Sequence, residues 1–297
     1  MMTRAEAQEV LDTANLIAIG VRADEARKAR HGDRVTFVRV LDVPISGPVP
    51  AAIPREAGEV RITGRPQSLA QVESLLASIT KALRGGSESP APRPTLTGFA
   101  LHDLEHLGQL LQVASRLREC GLELIAEAAI DRLPNPAASI AAVHGAGLDI
   151  ARLTFHEPQP DPIAALERAR DAAAAGSGRV AKACAPLPRV LDPTSPTTGY
   201  DDVKLVALAR LFLDNLETIQ IDWGLYGPKL AQVALTFGAN DLDAVPLDPG
   251  SANLLGPRRA PLEEVKRNIR AASFVPVQRN GRFDPIPTPE TAAGAPR

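Results

Sequence analysis

The feature that most constrains this chain is a regular alternation of β-branched or apolar runs with amphipathic helical stretches. Helical segments such as "SLAQVESLLASITKAL" and "YDDVKLVALARLFLDNL" carry their apolar residues on one face. Strands joined by helices of this length form right-handed crossovers and a mainly parallel sheet. About six or seven such units favour a partial or complete β/α barrel over an open doubly wound sheet. The strand-like runs are "DRVTFVRVLDV", "TLTGFALHD", "GLELIAEAAID", "LDIARLTFHEP", "RVAKACAPLP" and "TIQIDW".

Length and charge exclude several broad classes. The 297 residues, 44% of them hydrophobic, suffice for one large barrel. A net charge of -2 without a long run of one sign disfavours nucleic-acid and membrane-surface partners. The N-terminus has no apolar run of signal-peptide length, and no window reaches the roughly 20 apolar residues of a membrane span. We therefore expect a cytoplasmic protein.

The domain organisation follows from the same pattern. We expect a single β/α barrel domain over residues 1–285, with a helical lead-in before the first strand and a helical extension at the C-terminal end. Residues 286–297, which include "PETAAGAPR", have the Pro, Ala and Gly composition of a disordered tail. No G-x-G-x-x-G follows a strand, and no P-loop or G-x-S-x-G occurs. Rossmann, Walker and α/β-hydrolase functions therefore have no motif to support them.

Three ordered segments resemble one enzyme family. They are "IGVRADEARKARHGDRVTF", "YDDVKLVALARLFLDNLETIQIDWGLYGPKLAQVALTFGANDLDA" and "NIRAASFVPVQRN". They are similar to segments of the radical SAM enzymes of futalosine-dependent menaquinone synthesis, namely aminofutalosine synthase and dehypoxanthine futalosine cyclase, which are related to FO synthase. The resemblance implies a radical-SAM-type (β/α) barrel, here partial or trimmed. It also implies a [4Fe-4S] cluster and SAM as cofactors.

The motifs for those cofactors are absent. The family holds its cluster by Cys-x3-Cys-x2-Cys after the first barrel strand, because three irons need thiolates. The corresponding segment here, "LDVPISGPVPAAIPREAG", has no cysteine. The glycine pair that the family uses for SAM is replaced by "GFALHD". We therefore expect a divergent member without cluster or SAM, because Cys120 and Cys184 cannot supply three ligands.

Polar residues at the predicted strand ends are candidates for a site, since barrel functions lie at the C-terminal ends of strands. His102 and His106 are four apart and, with His156 and Glu127, form a weak candidate metal set. A structural role for both histidines at the start of a helix is favoured over that site. His156 and Glu157 suit either a binding role or a simple turn. The other strand-end candidates are Asp42, Asp103, Asp131, Asp222 and Trp223.

The segment from residue 217 to 244 is a predicted strand, helix and polar turn. Asp222 and Trp223 end the strand, Pro228 suits the first turn of the helix, and Gly238 ends it. The "ANDLDA" turn offers Asn240, Asp241 and Asp243, and Ala244 stands where the family has glycine. A scaffold role is favoured. The alternative is contact with a polar aromatic or nucleoside-like ligand through Asp222, Trp223, Asn240 and Asp241, with the indole as a stacking face.

Three functions remain open. The favoured one is a cluster-less homologue that binds a ligand or partners a complete radical SAM enzyme, as a pseudoenzyme. The second is an enzyme repurposed to metal-assisted or acid/base chemistry at the barrel mouth. The third is a radical SAM enzyme that takes its cluster ligands from another chain.

Overall fold

Nine strands alternate with nine helices along the described part of the chain. The computed structural model describes residues 2–85, 93–176, 178–191, 197–247 and 261–287. The strands are β1 (Arg34–Pro44), β2 (Glu59–Thr63), β3 (Thr95–Ala100), β4 (Leu124–Ala129), β5 (Asp149–Phe155), β6 (Ala181–Pro188), β7 (Thr218–Asp222), β8 (Asp241–Pro246) and β9 (Val275–Gln278). The helices are α1 (Arg4–Asp12), α2 (Leu16–His31), α3 (Leu69–Gly85), α4 (Leu110–Glu119), α5 (Pro136–Gly145), α6 (Pro162–Ala173), α7 (Gly199–Phe212), α8 (Trp223–Leu235) and α9 (Pro261–Ala271).

Strands β1 to β8 close into a parallel barrel. Each strand from β1 to β7 pairs with the next, and β8 returns to β1. The C-terminal half of β1, Val40–Pro44, pairs with β2. The predicted β/α barrel with parallel strands is confirmed, and it closes with eight strands where a partial or trimmed barrel was expected.

The ninth strand lies outside the barrel and pairs with Arg34–Phe37, the N-terminal half of β1. The predicted helical lead-in corresponds to α1 and α2, and the C-terminal extension contains α9 followed by β9. In the predicted tail, the amide of Ile286 donates to the carbonyl of Gln278 at 2.8 Å. Residues 288–297 lie outside the described residues.

Two barrel strands, β2 and β8, were missed by the sequence prediction, as was the outer strand β9. Strand β2 is only five residues long and has charged residues at two of them, and β8 was predicted as a turn. Both strands place charged side chains inside the barrel, where Glu59, Arg61, Asp241 and Asp243 are buried. The continuous apolar run expected of a strand buried on both faces is therefore absent from them.

The helices follow their predicted positions with two differences. The predicted apolar face of α3 is buried at Val72, Leu76 and Ile79. A helix was expected to begin at residue 105, close to His102 and His106. The structure instead has two short 3-10 turns, Leu101–Asp103 and Glu105–Leu107, and α4 begins at Leu110. Helix α8 is broken at Gly227, where φ is 77°, and its second part begins at Pro228, which has no amide hydrogen to donate.

The amino-terminal end of the barrel is closed by a buried ion pair. The guanidinium of Arg279, which follows β9, donates to both carboxylate oxygens of Asp241 at 2.6 and 2.7 Å. Asp241 also accepts hydrogen bonds from Thr36 and Gln220. Asp241 is the first residue of β8, so this group joins β9 to three barrel strands at their N-terminal ends.

No helix among the described residues is both long enough and apolar enough to cross a bilayer.

Replacing Arg279 should destabilise the fold strongly. In Arg279→Met the carboxylate of Asp241 stays buried without its cation, and we expect the free energy of unfolding to fall by about 3–5 kcal/mol. Urea unfolding followed by the fluorescence of Trp223, the sole tryptophan, measures it.

The control is Arg282→Met, in which an arginine with a half-exposed side chain loses its bond to Glu123. Arg282 is half exposed and Arg93 still lies 3.3 Å from Glu123 in this variant, so we expect a loss of about 0–1 kcal/mol. Equal losses in the two variants would contradict the role assigned to the Arg279–Asp241 pair.

Candidate functional site

A cavity of about 500 Å³ opens at the carboxyl ends of the barrel strands. Each of the eight strands contributes a lining residue from its C-terminal part or from the position directly after it. This is the end of a β/α barrel where functional sites lie. The charged lining residues are Asp42, Arg61, Asp103, Glu127, Arg152, Arg189 and Asp222.

The floor of the cavity is a buried ion network across the barrel, which we call the floor network: Glu59, Arg61, Arg152 and Asp243. Arg61 donates to Glu59 and to Asp243, each at 2.7 Å. Arg152 donates to Asp243 and to Glu59. The two guanidinium groups thus balance two carboxylates from β2 and β8.

The arginines of the floor network stabilise the ionised forms of its two carboxylates. Burial by itself raises the pKa of Asp243, but Arg152 and Arg61 outweigh that effect and hold the pKa well below its usual range. The pKa of Glu59 is lowered in the same way, because Arg61 and Arg152 more than compensate for its burial. Thr97 adds a hydrogen bond to Glu59 at 2.6 Å. The floor therefore stays ionised and rigid at neutral pH.

A second ion group lies on one wall. Arg189, directly after β6, donates to Asp222 at 2.6 Å and lies 3.3 Å from Glu127. The other oxygen of Asp222 accepts the amide of Leu225 at 2.9 Å and so caps the first turn of α8. Asp222 therefore lines the cavity as predicted and is also held in place by the fold.

Asp42 differs from the other charged lining residues because no hydrogen bond or ion pair to it is found among the described residues. Its side chain is exposed to solvent at the open mouth of the cavity, with the walls of the barrel around it. Burial raises the pKa of Asp42, and the like charges of Glu59, Asp243 and Asp222 raise it further, while Arg61 opposes them. Asp42 is thus a cavity-lining carboxylate without an ion pair or hydrogen bond among the described residues.

Backbone strain is concentrated at the same cavity. Phe99 and Ala244 line it with φ of 66° and 54°. They are two of the four non-glycine residues with positive φ in the described part of the chain. This conformation costs a non-glycine residue roughly 1–2 kcal/mol. The glycine that the resemblance implies at the position of Ala244 adopts this conformation without that cost.

The histidines are only partly at the cavity. His156 lines it, and His102 lies behind, with the two ring centroids 6.4 Å apart. The amides of His156 and Glu157 donate to Asp131 at 2.7 and 2.9 Å, so this strand end is held as a turn. Glu157 and His106 are exposed.

The candidate metal set does not converge in the described residues. No group of three His, Cys, Asp or Glu side chains there has a geometry that could hold a metal ion. Glu127 lies against Arg189 instead of against a histidine. The second function, in its metal-assisted form, gains no support from this geometry.

Three residues predicted for ligand contact lie elsewhere. Trp223 is fully buried and does not line the cavity, so its indole offers no stacking face there. Asn240 accepts hydrogen bonds from Arg210 and from the amide of Ile219, and Asp241 pairs with Arg279. Both lie at the N-terminal start of β8, the opposite end of the barrel. The geometry therefore gives no support to ligand contact at Trp223, Asn240 and Asp241.

The cavity arginines were missed by the sequence prediction. Arg189 follows directly on the predicted strand "RVAKACAPLP", so the strand-end rule would have included it. Arg152 is a lone charge within the apolar run "IARLTF", and a buried charge in such a run needs partners. Arg61 could not be found, because its strand was not recognised.

The thiols present do not fit an iron–sulfur cluster. Cys184 lies on β6 with no exposed surface, and burial raises its pKa to about 12, which disfavours the thiolate. Cys120 is the C-terminal cap of α4. Neither lines the cavity, and a [4Fe-4S] cluster needs three thiolates from the protein when SAM takes the fourth iron.

Relief of the strain at Ala244 should stabilise the protein. We expect Ala244→Gly to raise the free energy of unfolding by about 1 kcal/mol, because glycine adopts positive φ without steric cost. The matched control is Ala126→Gly, which also changes a cavity-lining alanine but without positive φ, and should lose about 1 kcal/mol. Urea unfolding of both variants measures the difference, and a loss in Ala244→Gly would contradict the assigned strain.

Removal of the Asp42 charge should change the pH dependence of stability. A carboxyl group whose pKa is higher in the folded state than in the unfolded state stabilises the fold while it is protonated. This stabilisation is lost as the pH rises from 3.8, the ordinary pKa of an aspartate, through the higher pKa of the folded state. We expect Asp42→Asn to be more stable than the parent at neutral pH, with a difference that shrinks below that ordinary value. Unfolding at several pH values tests it, and a less stable Asp42→Asn at neutral pH would show that the carboxylate has a stabilising partner.

Comparison with known proteins gives a family and a fold. Residues 183–292 match the family described as the CofH/MqnC C-terminal region. The chain is 35% identical over 100 residues to aminodeoxyfutalosine synthase of Thermus thermophilus, covering 33% of this chain and 27% of that protein. It is 24% identical over 236 residues to cyclic dehypoxanthine futalosine synthase of Streptomyces coelicolor, covering 69% and 58%. The segment matched in the first of these thus spans about a quarter of the relative's length.

Solved structures share the fold at low identity. The [FeFe]-hydrogenase maturase HydG aligns with a TM-score of 0.69 at 12% identity, covering 93% of this chain and 73% of its own. Methylornithine synthase PylB aligns with a TM-score of 0.64 at 12% identity, covering 93% and 94%. These structures show the fold alone. The sequence matches confirm the resemblance inferred from the three segments: the chain is related to the radical SAM enzymes of the futalosine pathway and to FO synthase, and its residues 183–292 match the C-terminal region of that family.

Proposed function

We propose that this protein is a cluster-less homologue of the futalosine-pathway enzymes that binds a small polar ligand at the mouth of its barrel. On this proposal it acts as a ligand-binding protein or as a partner of a complete homologue. The observation that carries it is the cavity itself, whose charged groups are nitrogens and oxygens supplied from all sides of a closed barrel. Thiols take no part in that lining.

The loss of the cluster is supported by the donor set. The segment between β1 and β2 has no cysteine, and the two cysteines of the chain lie on β6 and at the end of α4. A cluster ligated from another chain would still have to approach a mouth lined by paired arginines and carboxylates. Such a lining favours organic polar ligands over an iron–sulfur cluster.

A ligand role is supported by the size and order of the cavity. About 500 Å³ is within the range of small-molecule sites, roughly 300–1,000 Å³. The floor network and the Arg189–Asp222 pair hold their side chains before any ligand arrives, which lowers the entropic cost of binding. The names of the relatives, aminodeoxyfutalosine synthase and cyclic dehypoxanthine futalosine synthase, point to a nucleoside-like ligand of the futalosine type.

Cluster formation tests the first half of the proposal. After anaerobic incubation with iron and sulfide, we expect the desalted protein to retain no stoichiometric iron and to show no EPR signal on reduction. A cluster signal that disappears in a Cys120→Ser/Cys184→Ser double variant would overturn the cluster-less assignment.

Binding tests the second half. We expect futalosine to bind the parent protein in calorimetry and to bind at least about tenfold more weakly to Val190→Phe, whose added ring narrows the rim of the cavity. The matched control is Val233→Phe on α8, since the two valines are similarly exposed, at 43% and 46%. A pull-down with a complete homologue tests the partner role in parallel, and absence of both kinds of binding would remove the proposal.

A further inference from the structure

A second cavity, which we call the side pocket, lies behind one wall of the barrel mouth. It measures about 270 Å³ and is bordered by α1, the segment that leads from β5 into α6, the end of β6 and the first turns of α7. Consecutive residues at two strand ends line different sites: His156 and Arg189 line the mouth, while Glu157 and Pro188 line the side pocket. Among the described residues the two cavities share no lining residue, so the side pocket is a separate site.

The side pocket has a rigid apolar wall. Four of its lining residues are prolines, whose rings lose no rotamer freedom when a ligand covers them. An apolar group can therefore bind here at a low cost in side-chain entropy. The volume is just below the roughly 300–1,000 Å³ of sites for drug-sized ligands, so the pocket suits a smaller molecule. The apolar lining residues are Leu11, Pro158, Pro162, Pro186, Pro188 and Leu205.

Two buried side chains of opposite charge line the same pocket. Asp202 and Lys204 are only 6% and 9% exposed, so bulk water hydrates neither of them freely. Asp202 has no ion pair among the described residues, and its hydrogen-bond partner there is the neutral hydroxyl of Thr197. Glu157 and Asp201 line the pocket as well, but they are exposed and solvent hydrates them. A buried carboxylate without a cation is costly, and a bound cationic group would offset that cost.

Lys204 lacks a carboxylate partner in the described part of the chain. Its ammonium donates to the carbonyl of Leu11 at 2.7 Å and lies 5.1 Å from the ring centroid of Tyr200. An ammonium has three N–H donors, so two remain after the bond to Leu11. Lys204 does not pair with Asp202 either, because residues two positions apart on a helix do not face each other. The side pocket thus has a buried anion and a buried cation, and each lacks a counter-charge.

We propose that the side pocket binds a small zwitterion whose ammonium and carboxylate are separated by an apolar spacer, as in an ω-amino acid. The ammonium of the ligand pairs with Asp202, its carboxylate accepts from Lys204, and the spacer lies against the proline rings. Each buried charge then gains a counter-charge through a charge-assisted hydrogen bond. An α-amino acid fits less well, because its two charged groups are attached to one carbon and cannot reach two side chains that point apart.

Four probes with six carbons separate the charge types. They are 6-aminohexanoate, a zwitterion with separated charges; norleucine, its isomer with both charged groups on one carbon; hexylamine, a cation; and hexanoate, an anion. Each is titrated by calorimetry into the parent protein at neutral pH. We expect 6-aminohexanoate to bind at least about tenfold more tightly than each of the other three, because it alone satisfies both buried charges.

Variants assign the two charged contacts. Asp202→Asn and Lys204→Met nearly keep the size of the side chain, and each should weaken the binding of 6-aminohexanoate at least about tenfold. The controls Asp214→Asn and Lys229→Met remove exposed charges that do not line the side pocket, and should change binding less than about twofold. Urea unfolding shows whether each variant is folded. If a variant is not, the order of the four probes in the parent protein still decides.

Several results would overturn the inference. Hexylamine or hexanoate that binds as tightly as 6-aminohexanoate would show that only one of the two charges is used, and norleucine that does so would refute the separated charges. Absence of binding by all four probes would refute the site itself. Displacement of futalosine by 6-aminohexanoate would place the zwitterion at the barrel mouth instead. None of these outcomes decides whether futalosine binds the parent protein, so the proposed function stands or fails by its own test.

Discussion

The balance of buried charge inside the barrel is the interaction on which the rest of the structure depends. β/α barrels usually fill their interior with branched apolar side chains. Here the middle of the barrel holds Arg61 and Arg152 between Glu59 and Asp243, and each charge is stable only because its neighbours are present. Such a network contributes little net stability compared with an apolar core, but removal of one member leaves a buried unpaired charge. The network therefore fixes the positions of these four charged side chains relative to one another.

The same network creates the cavity. Because its arginines are held from below by carboxylates, the space above them is not filled by apolar packing and remains open at the carboxyl ends of the strands. At this mouth Asp42 is an exposed carboxylate with no ion pair among the described residues. Phe99 and Ala244, the two strained residues, line this cavity as well. In folded proteins such backbone strain clusters at functional sites.

The sequence predicts the apolar part of this architecture well and the polar part poorly. Helix α3 and strand β1 follow from the apolar pattern, because their buried residues are apolar. Strand β8 was taken for a turn, since Asp241 and Asp243 are residues that turns favour. Only long-range partners explain their burial, namely Arg279 directly after β9 and Arg152 on β5. Trp223 shows the same limitation for an aromatic residue that was expected to contact a ligand. Its position beside Asp222 at a strand end suggested a ligand contact, but the side-chain directions at the start of a helix send the carboxylate to the cavity and the indole into the core.

The central claim is that nitrogen and oxygen groups, without a metal cluster, make the barrel mouth a binding site. The most direct measurement is a crystal structure of the protein treated anaerobically with iron and sulfide and then soaked with futalosine. The account predicts futalosine density in the cavity at the barrel mouth, above an unchanged pairing of Arg152 with Asp243, and no strong anomalous iron signal in the segment between β1 and β2. Iron density at that segment, or futalosine bound only outside the barrel mouth, would contradict it.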